Sequence, residues 1–202
     1  METNTRIESW EREIDRRAGL RVPSARLTYR PVEERTQDFN EACLGYTPET
    51  ARLEASRCIQ CPEPQACALA CPLHNDIPHA MERLAAGDFL GAAAIYRQTN
   101  PLSEVCGRVC PERFCQDACT LKRLDKPLDT RRLEAFTATF ARTRVGMPTP
   151  EIAPRTGKRV AIIGAGPSVT LSVRRPRRRE GSLTHARGML RIARDPSGVP
   201  SG

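Results

Sequence analysis

The sequence is poor in aromatic residues, at 4% of 202 positions, and apolar residues reach only 39%. A core this lean calls for covalent or metal staples. Long apolar runs are missing as well. The longest, Phe89 to Tyr96, spans eight residues, where a bilayer crossing needs roughly 20. The first residues, Met1 to Glu8, lack the apolar stretch of a secretory leader. The expectation is therefore a cytoplasmic protein with no membrane role. Acidic charge is in deficit, since 24 Asp+Glu face 32 Lys+Arg and leave a net charge of +8. Such a balance ordinarily points to polyanions. Its position argues otherwise. Residues 1–167 carry a net +2, and residues 168–202 carry +6 from eight arginines against Glu180 and Asp195. That tail contains no lysine, aromatic or cysteine. Nucleic-acid stacking wants aromatics beside the arginines, so no nucleic-acid partner is expected and the Arg-rich tail reads as disordered.

Cysteine is abundant, at nine residues, and eight lie between positions 58 and 119. The first group is Cys58-x2-Cys61-x5-Cys67-x3-Cys71-Pro72. The second is Cys106-x3-Cys110-x4-Cys115-x3-Cys119. Cys61-Pro-Glu aligns with Cys110-Pro-Glu at a spacing of about 49 residues, which reads as a duplication with two equivalent sites. Disulfides fit poorly with an odd count and no leader. Structural zinc favours paired Cys-x2-Cys knuckles, and only Cys58 and Cys61 have that spacing. Iron–sulfur clusters fit best. The first group keeps both ends of the ferredoxin run Cys-x2-Cys-x2-Cys-x3-Cys-Pro, whose fourth cysteine serves the other cluster. By that logic Cys58, Cys61 and Cys67 take Cys119 as a fourth ligand. Cys110 and Cys115 take Cys71, with Cys106 as the fourth by symmetry. Cys43 stands apart and reads as a buried thiol. His74 and His79 read as surface or capping residues.

Around the cysteines the pattern is helical. Thr47-Pro48-Glu49 opens a helix through Ala55. Asp76-Ile77-Pro78 opens a second, stopped by Gly87, and Asp88 caps a third over Phe89–Gln98. Asn100-Pro101 ends it. A further helix is expected over Arg131–Arg144, with Leu133, Phe136 and Phe140 on one face, and another near Ile7–Arg17. The fold class is thus mainly α, short helices around two clusters. The expected organisation is an arm (1–40), a helical two-cluster domain (41–145) and a linker (146–157). One strand and a glycine turn (158–167) and the tail (168–202) complete it.

Arg57-Cys-Ile-Gln-Cys61, Cys71-Pro-Leu-His-Asn-Asp-Ile-Pro78, Asn100-Pro-Leu and Cys106-Gly-Arg-Val-Cys-Pro111 resemble the N-terminal iron–sulfur domain of the NADPH-dependent glutamate synthase small (beta) subunit and of dihydropyrimidine dehydrogenase. The resemblance covers roughly residues 35 to 167. It implies a helical domain with two [4Fe–4S] clusters ahead of FAD and NADPH domains. It also implies electron transfer to the large catalytic subunit of a glutamate synthase-like complex, or to another acceptor. One cluster maps onto Cys58, Cys61, Cys67 and Cys119. The other maps onto Cys71, Cys110 and Cys115 with an oxygen ligand, here Glu134, where symmetry points to Cys106. The resemblance is followed here, with Glu134 as the fourth ligand and Cys106 as the alternative.

Lys158 to Pro167 resembles the first FAD-binding strand and turn, with Gly164 and Gly166 at the positions where the pyrophosphate approaches. The third small residue is replaced by Val169, and Pro176 with an arginine run stands where a helix should follow. The expectation is a truncated family member that binds neither FAD nor NADPH. The abrupt change after Pro167 further reads as a shift of reading frame. A zinc- or cluster-stabilised interaction module is the alternative function.

Overall fold

The computed structural model describes residues 16–124 and 126–146, together with Gly166 and the strand residues 162–163, 183–186 and 189–192. The chain divides into two units, Met1–Met147 and Pro148–Gly202.

The first unit is mainly helical. It begins with α1 (Arg16–Arg21), strand β1 (Thr28–Tyr29), α2 (Val32–Arg35) and strand β2 (Cys43–Gly45). β1 and β2 pair antiparallel, Thr28 opposite Gly45 and Tyr29 opposite Cys43. The described part of the arm therefore belongs to the same unit as the helices. Of the expected helix near Ile7–Arg17, only Arg16 and Arg17 lie among the described residues, and both are in α1.

The principal helices follow their capping signals. α3 (Pro48–Ser56) starts at Thr47, whose hydroxyl accepts from the Thr50 amide while the Thr50 side chain accepts from the Thr47 amide. The short helix α4 (Ala66–Ala70) comes next. α5 (Ile77–Ala86) is capped by Asp76, and Gly87 ends it at φ 85°, a left-handed position that glycine takes without strain. α6 (Phe89–Thr99) is capped by Asp88. α7 (Ser103–Val109) precedes a 3-10 turn at Thr120–Arg123, and α8 (Thr130–Val145) closes the unit.

α5 packs between α3 and α6, α6 against α8, and α8 against α7. Ile77, Met81 and Leu84 of α5 are fully buried with Ala51, Ala55, Ala92, Tyr96 and Leu133. Phe89 meets Phe136 and Phe140 edge-on at centroid distances of 5.2 and 4.9 Å. α7 lies closest to α8 at Gly107. A Cβ there would stand 2.5 Å from the Ala135 amide nitrogen and 2.6 Å from the Arg131 carbonyl. Two short helices, α4 and α7, fall in the cysteine-rich stretches that the sequence leaves unassigned. No described helix is long and apolar enough to cross a membrane.

In the second unit, strand β3 (Ile162–Ile163) falls within the expected apolar strand. The stretch read as a disordered tail carries two further strands, β4 (Leu183–Ala186) and β5 (Met189–Ile192), in an antiparallel sheet of order β3-β5-β4. Thr184 and Ile192 are strand-favouring residue types that a charge count overlooks. A dinucleotide fold pairs its first strand in parallel, whereas β3 pairs antiparallel with β5. Gly166 is exposed, and Gly164 lies outside the described residues.

Candidate metal centre

The cysteines are delivered by helix ends. Cys58 follows α3 and donates its amide to the Ala55 carbonyl at 3.0 Å. Just before it, the buried Arg57 guanidinium donates to Glu54 at 2.7 Å and to the Lys126 carbonyl at 2.6 Å. Glu54, 1% exposed, also accepts the Ala25 amide at 2.8 Å and the Asp129 amide at 3.1 Å. This buried pair ties the arm, α3 and the segment before α8 together beside the first thiol. Gln60 turns the chain toward Cys61 with φ 46°, uncommon for a residue bearing a Cβ. Its amide donates to the Pro78 carbonyl at 2.9 Å and to Cys58 Sγ at 3.5 Å. Cys61 Sγ and Thr120 Oγ1 are 3.3 Å apart.

Cys71 and Cys110 terminate helices in the same way. Cys67 and Cys71 span the last turn of α4, and Cys106 and Cys110 the last turn of α7. Cys71 and Cys110 each leave the helix at ψ 123° and 133°, as a residue before proline must. Local structure thus makes Cys71-Pro72 the counterpart of Cys110-Pro111, rather than pairing Cys61 with Cys110 as the 49-residue alignment expects.

The thiols gather in two adjacent sets. Cys58, Cys61, Cys67 and Cys119 line one cavity, with Ile59, Ile77, Pro78, Leu121 and Leu128 on its walls. Burial pushes the Cys58 thiol up to about 12, with smaller contributions from Cys119 and Cys61. Burial likewise pushes Cys67 up to about 12, and Cys58, Cys119 and Cys61 add to it. In the second set burial raises Cys115 to about 12, followed by the influence of Cys71, Cys110 and then Cys67. Burial also raises Cys110, which senses Cys106, Glu134 and Cys71. Glu134 of α8 is 6% exposed, and burial lifts its carboxyl to about 7 against hydrogen bonds from Asn100, Ser103 and Asn75. Cys106 and Glu134 therefore both stand near Cys110. Tyr96 of α6 is fully buried, and its phenol senses Glu134, Cys115, Cys67 and Cys71.

The remaining residues stay apart. Cys43 is buried on β2. His74 and His79 are exposed, and His79 hydrogen-bonds Asp76, the cap of α5.

These donors fit a polynuclear cluster. Thiols lose their protons when they ligate a cation, and an all-sulfur set suits iron–sulfur chemistry. A single tetrahedral zinc brings its sulfurs to about 3.8 Å from one another. Among the described residues, no group of three or more His, Cys, Asp or Glu side chains is placed to hold one metal ion. Sequence reasoning missed the Glu54–Arg57 pair and Tyr96. The first looks like an ordinary helix-surface pair at i, i+3, and the second like part of an apolar run.

Comparison with known proteins agrees with this geometry. Residues 35–145 match the family described as dihydropyrimidine dehydrogenase domain II, 4Fe-4S cluster. The chain is 38% identical over 138 residues to the putative oxidoreductase AegA of Escherichia coli (strain K12), covering 68% of this chain and 21% of that protein. It is 37% identical over 140 residues to the small chain of glutamate synthase [NADPH] of Halomonas elongata, covering 69% and 29%. It is 40% identical over 140 residues to the NAD-dependent dihydropyrimidine dehydrogenase subunit PreT of Salmonella typhimurium (strain LT2), covering 66% and 33%. The chain thus spans between about a fifth and a third of the length of these relatives. By sequence, helical architecture and thiol arrangement, it belongs to the [4Fe–4S] domain family of glutamate synthase small chains and dihydropyrimidine dehydrogenases.

Proposed function

We propose that the chain is a two-cluster electron relay of an NADPH- and FAD-dependent oxidoreductase of glutamate synthase small-subunit type. One observation carries this reading: two adjacent, partly buried thiol sets, one of four cysteines and one of three with Glu134 beside them. Cys58, Cys61, Cys67 and Cys119 would hold the first cluster. Cys71, Cys110 and Cys115 would hold the second, with Glu134 as its fourth ligand. When bound, a [4Fe–4S] cluster supplies reversible one-electron transfer.

The chain's own residues would set the conditions for that transfer. The thiols give up their protons on loading, so assembly favours neutral to alkaline pH. The Gln60 amide donates to Cys58 Sγ, which favours the thiolate and, with it, the reduced state. Ile59, Ile77, Leu121 and Leu128 exclude water from the first set. Arg131 donates to the Cys110 carbonyl at 3.5 Å and places a cation beside the second. Cys115 of the second set senses Cys67 of the first, which supports a short path for an electron.

The partner would be an electron acceptor such as the large subunit of a glutamate synthase-like complex. FAD and NADPH would belong to the full-length relatives. The change of composition after Pro167 supports reading residues 168–202 as an out-of-frame product of a truncated member, and the coding DNA tests it. If a neighbouring frame does not continue the FAD segment, that part of the proposal fails.

Anaerobic purification of the full chain tests the main reading. A brown protein with about eight irons and eight sulfides is expected. A colourless protein with stoichiometric zinc would establish the interaction module instead.

A further inference from the structure

Tyr96 presents a problem that the ligand assignment leaves unsolved. It is among the largest fully buried side chains, with 0% exposure, and its hydroxyl has no hydrogen-bond partner. A phenylalanine would fill the same space without leaving a buried donor unpaired, and an unpaired buried hydroxyl is costly. The neighbouring acceptor, Glu134, is already held by Asn100 at 2.6 Å. The other groups the phenol senses are the thiols of Cys115, Cys67 and Cys71. Two of these belong to the second set and one to the first, and all three pack against the buried core of which Tyr96 is a member. A phenol keeps its proton at neutral pH, so the oxygen remains a donor.

We propose that Tyr96 is a positioning residue whose Oη–H donates to a sulfur of the cluster held by Cys71, Cys110 and Cys115. The inference rests on the two-cluster reading. A hydrogen bond to cluster or thiolate sulfur stabilises the reduced, more negative state and raises the potential. The tyrosine therefore raises the second cluster's potential above the value it would have without that bond.

The test is an anaerobic redox titration of the full, cluster-loaded chain followed by electron paramagnetic resonance, comparing wild type with Tyr96→Phe. The expected result is unchanged iron content and a second-cluster potential lowered by a three- to tenfold change in its one-electron equilibrium, about 30 to 59 mV. The first cluster should move less. Equal potentials in the two proteins, both fully loaded, would overturn the assignment. A wild type without iron would overturn the two-cluster reading itself.

If Tyr96→Phe loads poorly, unsubstituted protein grown with 3-fluorotyrosine gives an independent measurement, because fluorination makes the hydroxyl a stronger donor. Tyr29 is half exposed, and Tyr46 donates to Asp129 at 3.0 Å, so only Tyr96 reports at the clusters. A raised second-cluster potential supports the donor role, and an unmoved one overturns it.

Discussion

Asn100 Nδ2 donates to Glu134 Oε1 across 2.6 Å in the buried seam between the end of α6 and α8. Ser103 and Asn75 also hydrogen-bond this carboxyl, and Cys110 senses its charge. Glu134 is thereby oriented on a rigid helix, as an oxygen ligand needs to be. The expected consequence is selective. Glu134→Ala should reduce iron from about eight to about four per chain, while Glu134→Gln, which retains an oxygen, should keep more. Cys106→Ala and Cys43→Ala should leave iron unchanged. Full loading of Glu134→Ala, with loss in Cys106→Ala, would transfer the ligand role to Cys106.

The Glu54–Arg57 pair makes a second prediction. Both side chains are about 2% exposed or less, and Glu54 accepts two backbone amides from other segments besides Arg57. Removing one partner strands a buried charge. Glu54→Ala should cost about 3–5 kcal/mol in urea unfolding and lower first-cluster occupancy, because Cys58 follows Arg57 directly. Replacing both residues by apolar ones of similar volume should cost less than the single change. A double variant as damaged as the single would mean that packing, not charge, dominates here.

The helices that hold the site differ in how plainly the sequence announces them. α5 carries a capping aspartate, a proline in its first turn, apolar residues at one-face spacing and a terminating glycine, and it folds as those signals direct. α3 and α6 are similar. α4 and α7 are short, and their apolar pattern is interrupted by cysteines whose spacing answers to metal ligation rather than to a core. Periodicity has nothing to report there. Ferredoxin-like sharing between groups joins Cys119 to Cys58, Cys61 and Cys67 in the sequence, and the same four residues line one cavity. Tyr96 was hidden, because a buried hydroxyl and an ordinary core ring look alike in an apolar run.

Gly107 makes the approach of α7 to α8 possible. An added methyl would meet Ala135 Cβ at 2.7 Å and rigid backbone at 2.5 and 2.6 Å. Backbone cannot step aside as a flexible side chain can. Gly107→Ala should therefore destabilise the protein by about 1–3 kcal/mol despite its better helix propensity, seen as a lower Tm. Since Cys106 and Cys110 flank this glycine, second-cluster signals should weaken along with it. A Tm at or above that of wild type would contradict the close packing.

The last prediction concerns acid. Glu104, in the first turn of α7, accepts from Arg142 of α8 at 2.8 and 3.0 Å and from Thr139 at 3.1 Å. The Arg142 hydrogen bond is the main reason its carboxyl lies below the ordinary value, with Thr139 and Arg108 assisting against desolvation. A carboxylate with a lowered folded-state pKa contributes stability that is present above its unfolded pKa, about 4.3. That contribution is lost as the pH falls through the lower folded value. Glu104→Gln removes it at all pH values. The stability difference between wild type and Glu104→Gln should therefore be constant near neutrality and shrink toward zero below about pH 4.3. Acid also releases iron from clusters, but both proteins carry the same ligands, so that loss cancels in the difference. Glu104 is only partly buried and solvent screens the pair, so the neutral-pH difference should be small and should fall further with added salt. A difference that grows on acidification would mean that Glu104 is better bound protonated, which its three donors argue against.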